Sequence, residues 1–324
     1  MLRYVIKRIL WMIPVILGIT LIVMAFIDIA PGDPARIILG NRATDQDVLE
    51  LREQLGLNDP FIVRYVRFVR GALHGDFGKS YSNNRDVATE MFQRFRYTVV
   101  IAVLSVALSV VIGIPLGIFA ATHQYSWKDN AAITMSLICV SMPSFWFALL
   151  IIQLFSVKLH LLPPSGIETW KGWIMPTISL ALGYIALITR QMRSDFLEVV
   201  RQDYIITARA KGQTEFKVLY RHALKNAVIP IVQIVGTLFG GALGGAMIVE
   251  VIYSVPGLGN YMISGLSARD YPVILATSFF MALVFSFVIL LIDIIFAFID
   301  PRVRSQYVRK KKRSKTPMKE AAAS

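Results

Sequence analysis

The stretch "DYIITARAKGQTEFKVLYRHALKNAVIP", residues 203–230, is a charged segment that lies between two long apolar runs. The segment carries several basic residues, a glycine at Gly212 and a proline at Pro230. The whole charged region spans residues 190–226. A membrane protein that keeps so long a segment between two spans is predicted to use it for more than a turn.

The local sequence predicts two short helices within this stretch. Asp203 can cap a helix that runs to Lys211, and Gly212 then ends it, because glycine adopts the left-handed conformation without strain. Thr214 can cap a second helix, and the carboxylate of Glu215 suits the positive end of that helix dipole. The segment is therefore expected to be ordered, with its turning point at Gly212.

One face of the first helix is predicted to meet a soluble partner. Ala208 and Gly212 are four residues apart and share a face, with Tyr204 on the same side. Arg209 and Lys211 flank this face with positive charge. Two small residues would let another protein approach closely. The alternative is a basic helix that rests on anionic lipid.

The composition identifies a membrane protein with several spans. The chain has 324 residues, of which 55% are apolar and 17% charged, whereas a soluble domain carries about 25% charged residues. The single cysteine, Cys139, excludes a disulfide framework and a cysteine-based metal site. The four histidines are far apart and show no ligand spacing.

Six apolar runs are candidates for transmembrane helices, because a bilayer core about 30 Å thick takes roughly 20 helical residues. These runs are residues 9–29, 97–121, 131–157, 174–189, 227–251 and 273–298. Each is expected to be helical, since a helix satisfies its own backbone groups in lipid. The first run is interpreted as an uncleaved span, because no small-residue cleavage site follows it.

The distribution of Lys and Arg predicts the orientation. Eight basic residues lie in 190–226 and nine follow Asp300, whereas the two short loops on the opposite side carry only Lys158, Lys171 and Arg269. The positive-inside rule then places both termini and the 190–226 segment in the cytoplasm. The polybasic tail is expected to serve topology and solubility, with specific lipid recognition as the alternative.

The long loop between the first two spans is predicted to be helical and to lie on the outer side. Asp59 and Pro60 form an N-cap and first-turn pair ahead of "FIVRYVRFVRGAL". Arg64, Arg67 and Arg70 then recur every three residues. They are interpreted as a solvated stripe on a helix at the membrane surface, with a docking face for an external partner as the alternative.

The sequence lacks the common catalytic and nucleotide motifs. "HGDFGKS", residues 74–80, is not a phosphate-binding loop, because Leu73 stands where the first glycine belongs. Metalloprotease and hydrolase motifs are also missing. The acids Asp28, Glu250 and Asp293 lie near span ends rather than at a midplane. They are expected to be structural and not to couple transport to protons or sodium.

The fifth span carries a stripe of small residues in "GTLFGGALGGAM", residues 236–247. The glycines that recur every four residues are Gly236, Gly240, Gly241, Gly244 and Gly245. They permit close approach of another helix, either within this chain or at a moving wall or seam with a second subunit. Prolines in the first three spans, Pro14, Pro115 and Pro143, are expected to cause kinks or local irregularity. Pro143 and the glycines are candidates for helix packing or for lining a pathway.

Several motifs resemble a known family. "YIITARAKG" followed by "HALKNAVIP" is similar to the cytoplasmic EAA loop of ABC importer permeases, in the form found in dipeptide and oligopeptide permeases. With the loop's glycine on Gly212, its second alanine falls on Ala208 and its leucine on Leu224. Departures from the generic loop, in the style of the peptide permeases, are Ile206, Thr207, His222 and Lys225. Further agreement comes from "PGDP" at 31–34, "GDFGKS" at 75–80, "SMPSFW" at 141–146 and "EVIYSVPGLG" at 250–259.

The resemblance, over about residues 1–305, implies an all-α polytopic membrane protein with six transmembrane helices and the type I ABC importer permease fold. Residues 1–96 would hold the first helix and an outer helical segment, 97–299 a core of five helices with the coupling loop, and 300–324 the tail. The coupling site would be a helix pair at 203–220. Its residues would be Asp203, Tyr204, Ala208, Arg209, Lys211, Gly212, Thr214 and Glu215.

The resemblance also implies function and partners. As a B-type subunit in a bacterial or archaeal cytoplasmic membrane, the chain would form half of a pathway for di- or oligopeptides with a paralogous C-type permease. Two cytoplasmic ATPases would carry ATP and Mg, and an extracytoplasmic binding protein would deliver the peptide. The chain itself would bind no cofactor, metal or nucleic acid and would not be an enzyme.

Two other functions stay open at this point. The same architecture could import glutathione, nickel or another small solute, since such permeases share these motifs. A stand-alone secondary carrier or channel would instead transport without ATPases. It would place polar or ionisable residues at a midplane, whereas the acids Asp28, Glu250 and Asp293 all lie away from one.

Overall fold

The computed structural model describes residues 2–30, 32–40 and 43–299, and the predicted tail at 300–324 lies outside them. Within these residues the regular structure is helical, apart from one isolated bridge between Lys79 and Asp86. The helices are α1 (Leu2–Ile29), α2 (Pro34–Leu39), α3 (Asp45–Gln54), α4 (Phe61–Leu73), α5 (Val87–Thr122), α6 (Trp127–Ser141), α7 (Ser144–Ile151), α8 (Ile174–Val200), α9 (Asp203–Ala210), α10 (Glu215–Lys217), α11 (Leu224–Ile252), α12 (Leu258–Ala268) and α13 (Tyr271–Ile299).

Five helices in the described part of the chain are long and apolar enough to cross a membrane, and a sixth span results if one bent pair is counted. The five are Val5–Ile29, Val87–Thr122, Trp170–Val200, Glu215–Gly244 and Tyr271–Phe296. The bent pair is Trp127–Ser141 with Ser144–Lys158. The structure therefore has five to six candidate spans, and the predicted six are reached when the bent pair is counted as one broken span.

The third predicted span, residues 131–157, is not a single straight helix. Its two halves meet at 103°, with the break at Met142 and Pro143. Pro143 has no N–H to continue the helix, and it forces Met142 into an extended conformation with ψ 128°. Pro14 and Pro115 lie inside helices that continue past them, so the break occurs at Pro143 among these three prolines.

The centre of the bundle is the contact between α5 and α8. A Cβ atom on Gly113 would lie 2.9 Å from the side chain of Ile188, and one on Gly117 would lie 2.7 Å from the carbonyl oxygen of Thr189. Hydroxyls reinforce this contact, since Ser109 donates to the carbonyl of α8 residue Ala181 at 3.1 Å. The most extensive helix contact among the described residues therefore uses a glycine pair that the sequence analysis did not single out.

The glycine stripe of α11 divides into two parts. A Cβ atom on Gly236 would overlap Ile292 of α13, and one on Gly240 would lie 3.1 Å from the ring of Phe285. Gly241 and Gly244 have no atom of another element within 4 Å of such a Cβ. Close packing within the chain is thus confirmed for the first two glycines. The surroundings of Gly245 lie outside the described residues.

The loop between α1 and α5 is helical, as predicted, but its arginines differ from the prediction. Helix α4 begins after Pro60, and Asp59 does not cap it, because its carboxylate pairs with Arg67 instead. Arg64 is mostly buried and pairs with Asp28 near the end of α1, with 2.9 Å between Nη1 and Oδ1. Arg64 is therefore not part of a solvated stripe, since it ties α4 to the first span.

The "HGDFGKS" segment has a structural role. Phe77 packs against Phe68 of α4 and Phe279 of α13, with ring centroids 6.3 and 5.9 Å away. The Ser80 hydroxyl donates to the carboxylate of Asp270 at 2.5 Å. These contacts fix the loop to the start of the last span.

Candidate functional site

The turn after α9 is built around Gly212. Its φ is +72°, a conformation that glycine adopts without strain. The N–H of Gly212 donates to the carbonyl of Arg209 at 2.9 Å, and the N–H of Gln213 donates to the carbonyl of Ala208 at 3.4 Å. This pair of bonds is the Schellman arrangement that ends many helices. The predicted turning point is confirmed.

The predicted caps are only partly correct. Gln202, not Asp203, occupies the N-cap position of α9, because its extended backbone (ψ 148°) directs its carbonyl to the N–H groups of Ile205 and Ile206. Asp203 is the first helical residue and bonds through its main-chain oxygen to the Thr207 hydroxyl. Thr214 does occupy the next N-cap position, but its side chain makes no capping hydrogen bond.

An ion pair spans the turn between the two helical parts. Glu215 accepts hydrogen bonds from Arg209, at 2.7 Å from Nη2 and 3.1 Å from Nε. The bond to Glu215 raises the pKa of the Arg209 guanidinium above its ordinary value. The pair therefore joins the end of α9 to the start of α10 across the turn.

The second predicted helix is not separate from the fifth span. The residues Glu215–Lys217 lead into a wider helical turn at Val218–Ala223, and α11 follows without a break. The expected helix pair at 203–220 is therefore one short helix, α9, that lies against the start of a long one.

Ala208 is placed differently from the prediction. It is only 7% exposed and packs in a buried cluster with Ile205, Val218 and side chains of α5 and α8. The reason is that a short helix must bury one face, and Ile205 and Ala208, three residues apart, form that face. Ala208 is thus not open to a partner, whereas Gly212 is exposed with open space around it.

The accessible surface of this region is instead aromatic and aliphatic. Phe216 is 72% exposed and lies against Tyr220, with ring centroids 4.5 Å apart. Tyr204 and Ile206 are also exposed on α9. Lys211, which closes α9, adds an exposed charge. We call Tyr204, Ile206, Lys211, Phe216 and Tyr220 the exposed coupling surface, after the role that the sequence predicts for this segment.

Sequence reasoning missed Ile206, Phe216 and Tyr220 as members of this surface. The available pattern was the four-residue spacing of Phe216 and Tyr220, which puts two rings on one face of a charged helix.

Hydrogen bonds attach α9 to the start of the fifth span. The amide of Asn226 donates to the Tyr204 hydroxyl at 2.7 Å. His222 and Gln213 are bonded at 2.8 Å between Nε2 and Oε1. A displacement of α9 would therefore be passed to α11 directly.

The sequence matches two parts of one transporter family. Residues 1–102 match the binding-protein-dependent transport system membrane component, N-terminal part, and residues 113–305 match the binding-protein-dependent transport system inner membrane component. The chain belongs to this family. It is a multi-pass permease subunit of an ABC importer in the inner membrane and is not an enzyme. Importers of this architecture work with ATPases, which bind the ATP, and with a binding protein.

Two named relatives cover almost the whole permease. It is 38% identical over 304 residues to the glutathione transport system permease protein GsiC of Salmonella paratyphi A (strain ATCC 9150 / SARB42) and to that of Escherichia coli (strain K12). Each alignment covers 94% of this chain and 99% of the relative.

Solved structures show the same fold. Two inward-facing crystal forms of the MetNI methionine ABC transporter match the permease with TM-scores of 0.55 and 0.57, at 17% and 16% identity. Each match covers 65% of this chain and 96% of the other. The ABC importer permease fold is thereby confirmed.

Proposed function

We propose that the permease docks an ATPase through the exposed coupling surface. The observation that carries this proposal is that Phe216, Tyr220, Tyr204 and Ile206 expose apolar side chains on an otherwise charged segment. Exposed apolar groups that cluster between polar residues are typical of protein interaction sites. Lys211 and the Arg209–Glu215 pair provide a polar border to this surface.

The orientation that this docking requires is supported by the Lys and Arg distribution. Both termini and residues 190–226 then face the cytoplasm, where the ATPases bind ATP and Mg. A paralogous permease supplies the other half of the pathway. Movement of α9 reaches the spans through the Tyr204–Asn226 bond and through the buried cluster around Ala208.

We infer that the cargo is a short peptide. The peptide-permease style of residues 204–230 supports this class, and the two relatives are named for glutathione, which is itself a tripeptide. Mass spectrometry of the ligand carried by the partner binding protein tests the inference. A mixture of peptides favours a general peptide importer, glutathione alone favours the narrower cargo, and a metal ion such as nickel contradicts both.

Truncation of the exposed rings tests the docking proposal. Phe216→Ala and Tyr220→Ala should each weaken ATPase binding by about 2 kcal/mol, the size of an interface hot spot, which is roughly a thirtyfold change. The measurement is co-purification of the ATPases with the permease, alongside uptake. Trp170→Ala is the matched control, because Trp170 is equally exposed but lies in the short helical turn before α8, at the opposite end of α8 from α9. Full ATPase retention in both ring variants would contradict the proposal.

A further inference from the structure

Glu250 is a buried carboxylate at the end of α11 that lies far from the exposed coupling surface. Its side chain is 0% exposed. Oε1 accepts a hydrogen bond from the Thr98 hydroxyl of α5 at 2.5 Å, and Oε2 accepts one from the backbone N–H of Asn260 at 2.9 Å. The carboxylate therefore joins three helices, because Asn260 belongs to α12.

Helix α12, whose N–H groups donate to these side chains, has no capping side chain of its own. Gly257 is the N-cap residue of α12, and the free N–H groups of a first helical turn need acceptors. Asn260 is the third residue of α12, the position that an N-cap side chain ordinarily serves. The hydroxyl oxygen of Thr98 accepts from the N–H of Leu258 at 2.9 Å. Glu250 and Thr98 thus replace the missing cap from two other helices.

Two glycines let the backbone close around the carboxylate. A Cβ atom on Gly257 would overlap the Glu250 carboxyl group. One on Gly259 would lie 3.0 Å from Oε2 and 2.6 Å from the Cα atom of Met247. The "VPGLG" sequence therefore fits this contact, because any side chain at either glycine would displace Glu250.

The same turn is fixed to the rest of the bundle by Tyr253. Its hydroxyl lies 2.8 Å from the Ser179 hydroxyl of α8 and donates to the carbonyl of Ala148 in α7 at 3.1 Å. Its carbonyl accepts from the N–H of Gly166 at 2.9 Å. The end of α11, the start of α12 and their neighbours are thereby held as one polar unit in an apolar bundle.

We propose that Glu250 is a positioning residue for transport, which holds α12 on α5 and α11 so that these parts move as one body. Packing alone does not require a carboxylate here, because buried ionisable groups contribute less stability than apolar groups of the same volume. Two buried acceptors, Glu250 and the Thr98 hydroxyl that it holds, each take one N–H of the first turn and so fix the direction of α12. Movement that enters α11 at its coupling end is then transmitted to α12 at the other.

Hydrogen exchange on the assembled transporter tests the cap directly. Thr98→Val removes the hydroxyl but keeps the shape, and Glu250→Gln keeps the size but replaces one carboxyl oxygen with an amide group. Exchange of the amides at residues 258–260 is expected to rise about tenfold, the equivalent of 1.4 kcal/mol, while exchange in α9 stays unchanged. Thr98→Ser should behave as the wild type. Ser109→Ala is a matched control, because it removes another buried α5 hydroxyl that has no contact with α12.

A second measurement separates positioning from folding. ATP hydrolysis is measured with and without the purified binding protein, used with the ligand that it carries from the cell. Thr98→Val and Glu250→Gln are expected to keep the basal rate and to lose the stimulation by the binding protein.

Three results would overturn the proposal. Wild-type exchange at 258–260 in both variants would show that Glu250 and Thr98 do not cap α12. Raised exchange with full stimulation would show that the cap has no role in transport. Failure of both variants to assemble, with Thr98→Ser intact, would assign the network to folding.

Discussion

Arg193 of α8 donates two parallel hydrogen bonds, each 2.6 Å long, to the carboxylate of Asp129 in α6. Asp129 is only 1% exposed, and its Oδ2 also accepts from the N–H of Tyr125 in the turn after α5 at 3.0 Å. One carboxylate therefore joins α6, α8 and the α5–α6 turn. A planar guanidinium suits such a two-pronged contact, whereas a lysine would supply a single point charge.

Arg193→Ala is expected to destabilise the permease strongly. The change leaves a buried carboxylate without its partner, which typically costs about 3–5 kcal/mol. Thermal unfolding of the purified complex measures the loss. Arg209→Ala is the control, since its pair with Glu215 is exposed and should contribute at most about 1 kcal/mol. Equal effects of the two substitutions would show that burial of Asp129 does not matter.

The same substitution at two glycines should give different results. Gly117→Ala places a Cβ 2.7 Å from the carbonyl of Thr189 and should cost about 1–3 kcal/mol through overpacking. Gly241→Ala meets no atom of another element within 4 Å and should leave the unfolding temperature of the purified permease unchanged. A larger loss for Gly241→Ala would contradict the packing described for α5 and α8.

Gly212 should tolerate asparagine but not valine. Its positive φ costs an L-residue roughly 1–2 kcal/mol, and asparagine adopts this conformation more readily than other residues. Gly212→Val should leave the chain inserted but reduce both ATPase co-purification and uptake, while Gly212→Asn should retain both. Similar behaviour of the two variants would exclude backbone conformation as the cause.

Ala208→Trp would not test ATPase docking. Its bulk would enter the chain's own buried cluster, so the variant reports on folding before it reports on docking.

The topology can be measured by cysteine labelling in a Cys139→Ala background. Gln202→Cys, next to α9, should be protected from an impermeant reagent in intact cells and react in inverted vesicles. Ser165→Cys, in the loop before α8, should show the opposite pattern, because both positions are exposed and differ only in side. Labelling of Gln202→Cys from outside would reverse the orientation and remove the proposed docking site from the ATPases.

The features that could be predicted from the sequence are those with local causes. Apolar runs of sufficient length identified the spans, and the position of Gly212 after a short helical pattern identified its turn. In both cases a few neighbouring residues determine the result.

The features that could not be predicted depend on residues far apart in the chain. Asp129 and Arg193 are separated by 64 positions, so nothing near either residue indicates the pair. The buried side of α9 was predicted to be its open side, because Ala208 alone does not reveal that Val218 and two other helices cover it. A kink or local irregularity was expected at Pro143, but its 103° angle was not, since proline permits a kink without setting its size.

Helical structure continues without a loop from Glu215 to Ile252, with the wider turn at Val218–Ala223 and with Pro230 inside α11. At 1.5 Å per residue its length is about 57 Å, so a tilt of about 5° around its middle moves the two ends by roughly 2.5 Å in opposite directions. Because the backbone at Gly236 approaches Ile292 closely near that middle, this contact would be the pivot of such a tilt. Small angular changes at one membrane surface therefore become displacements of side-chain size at the other.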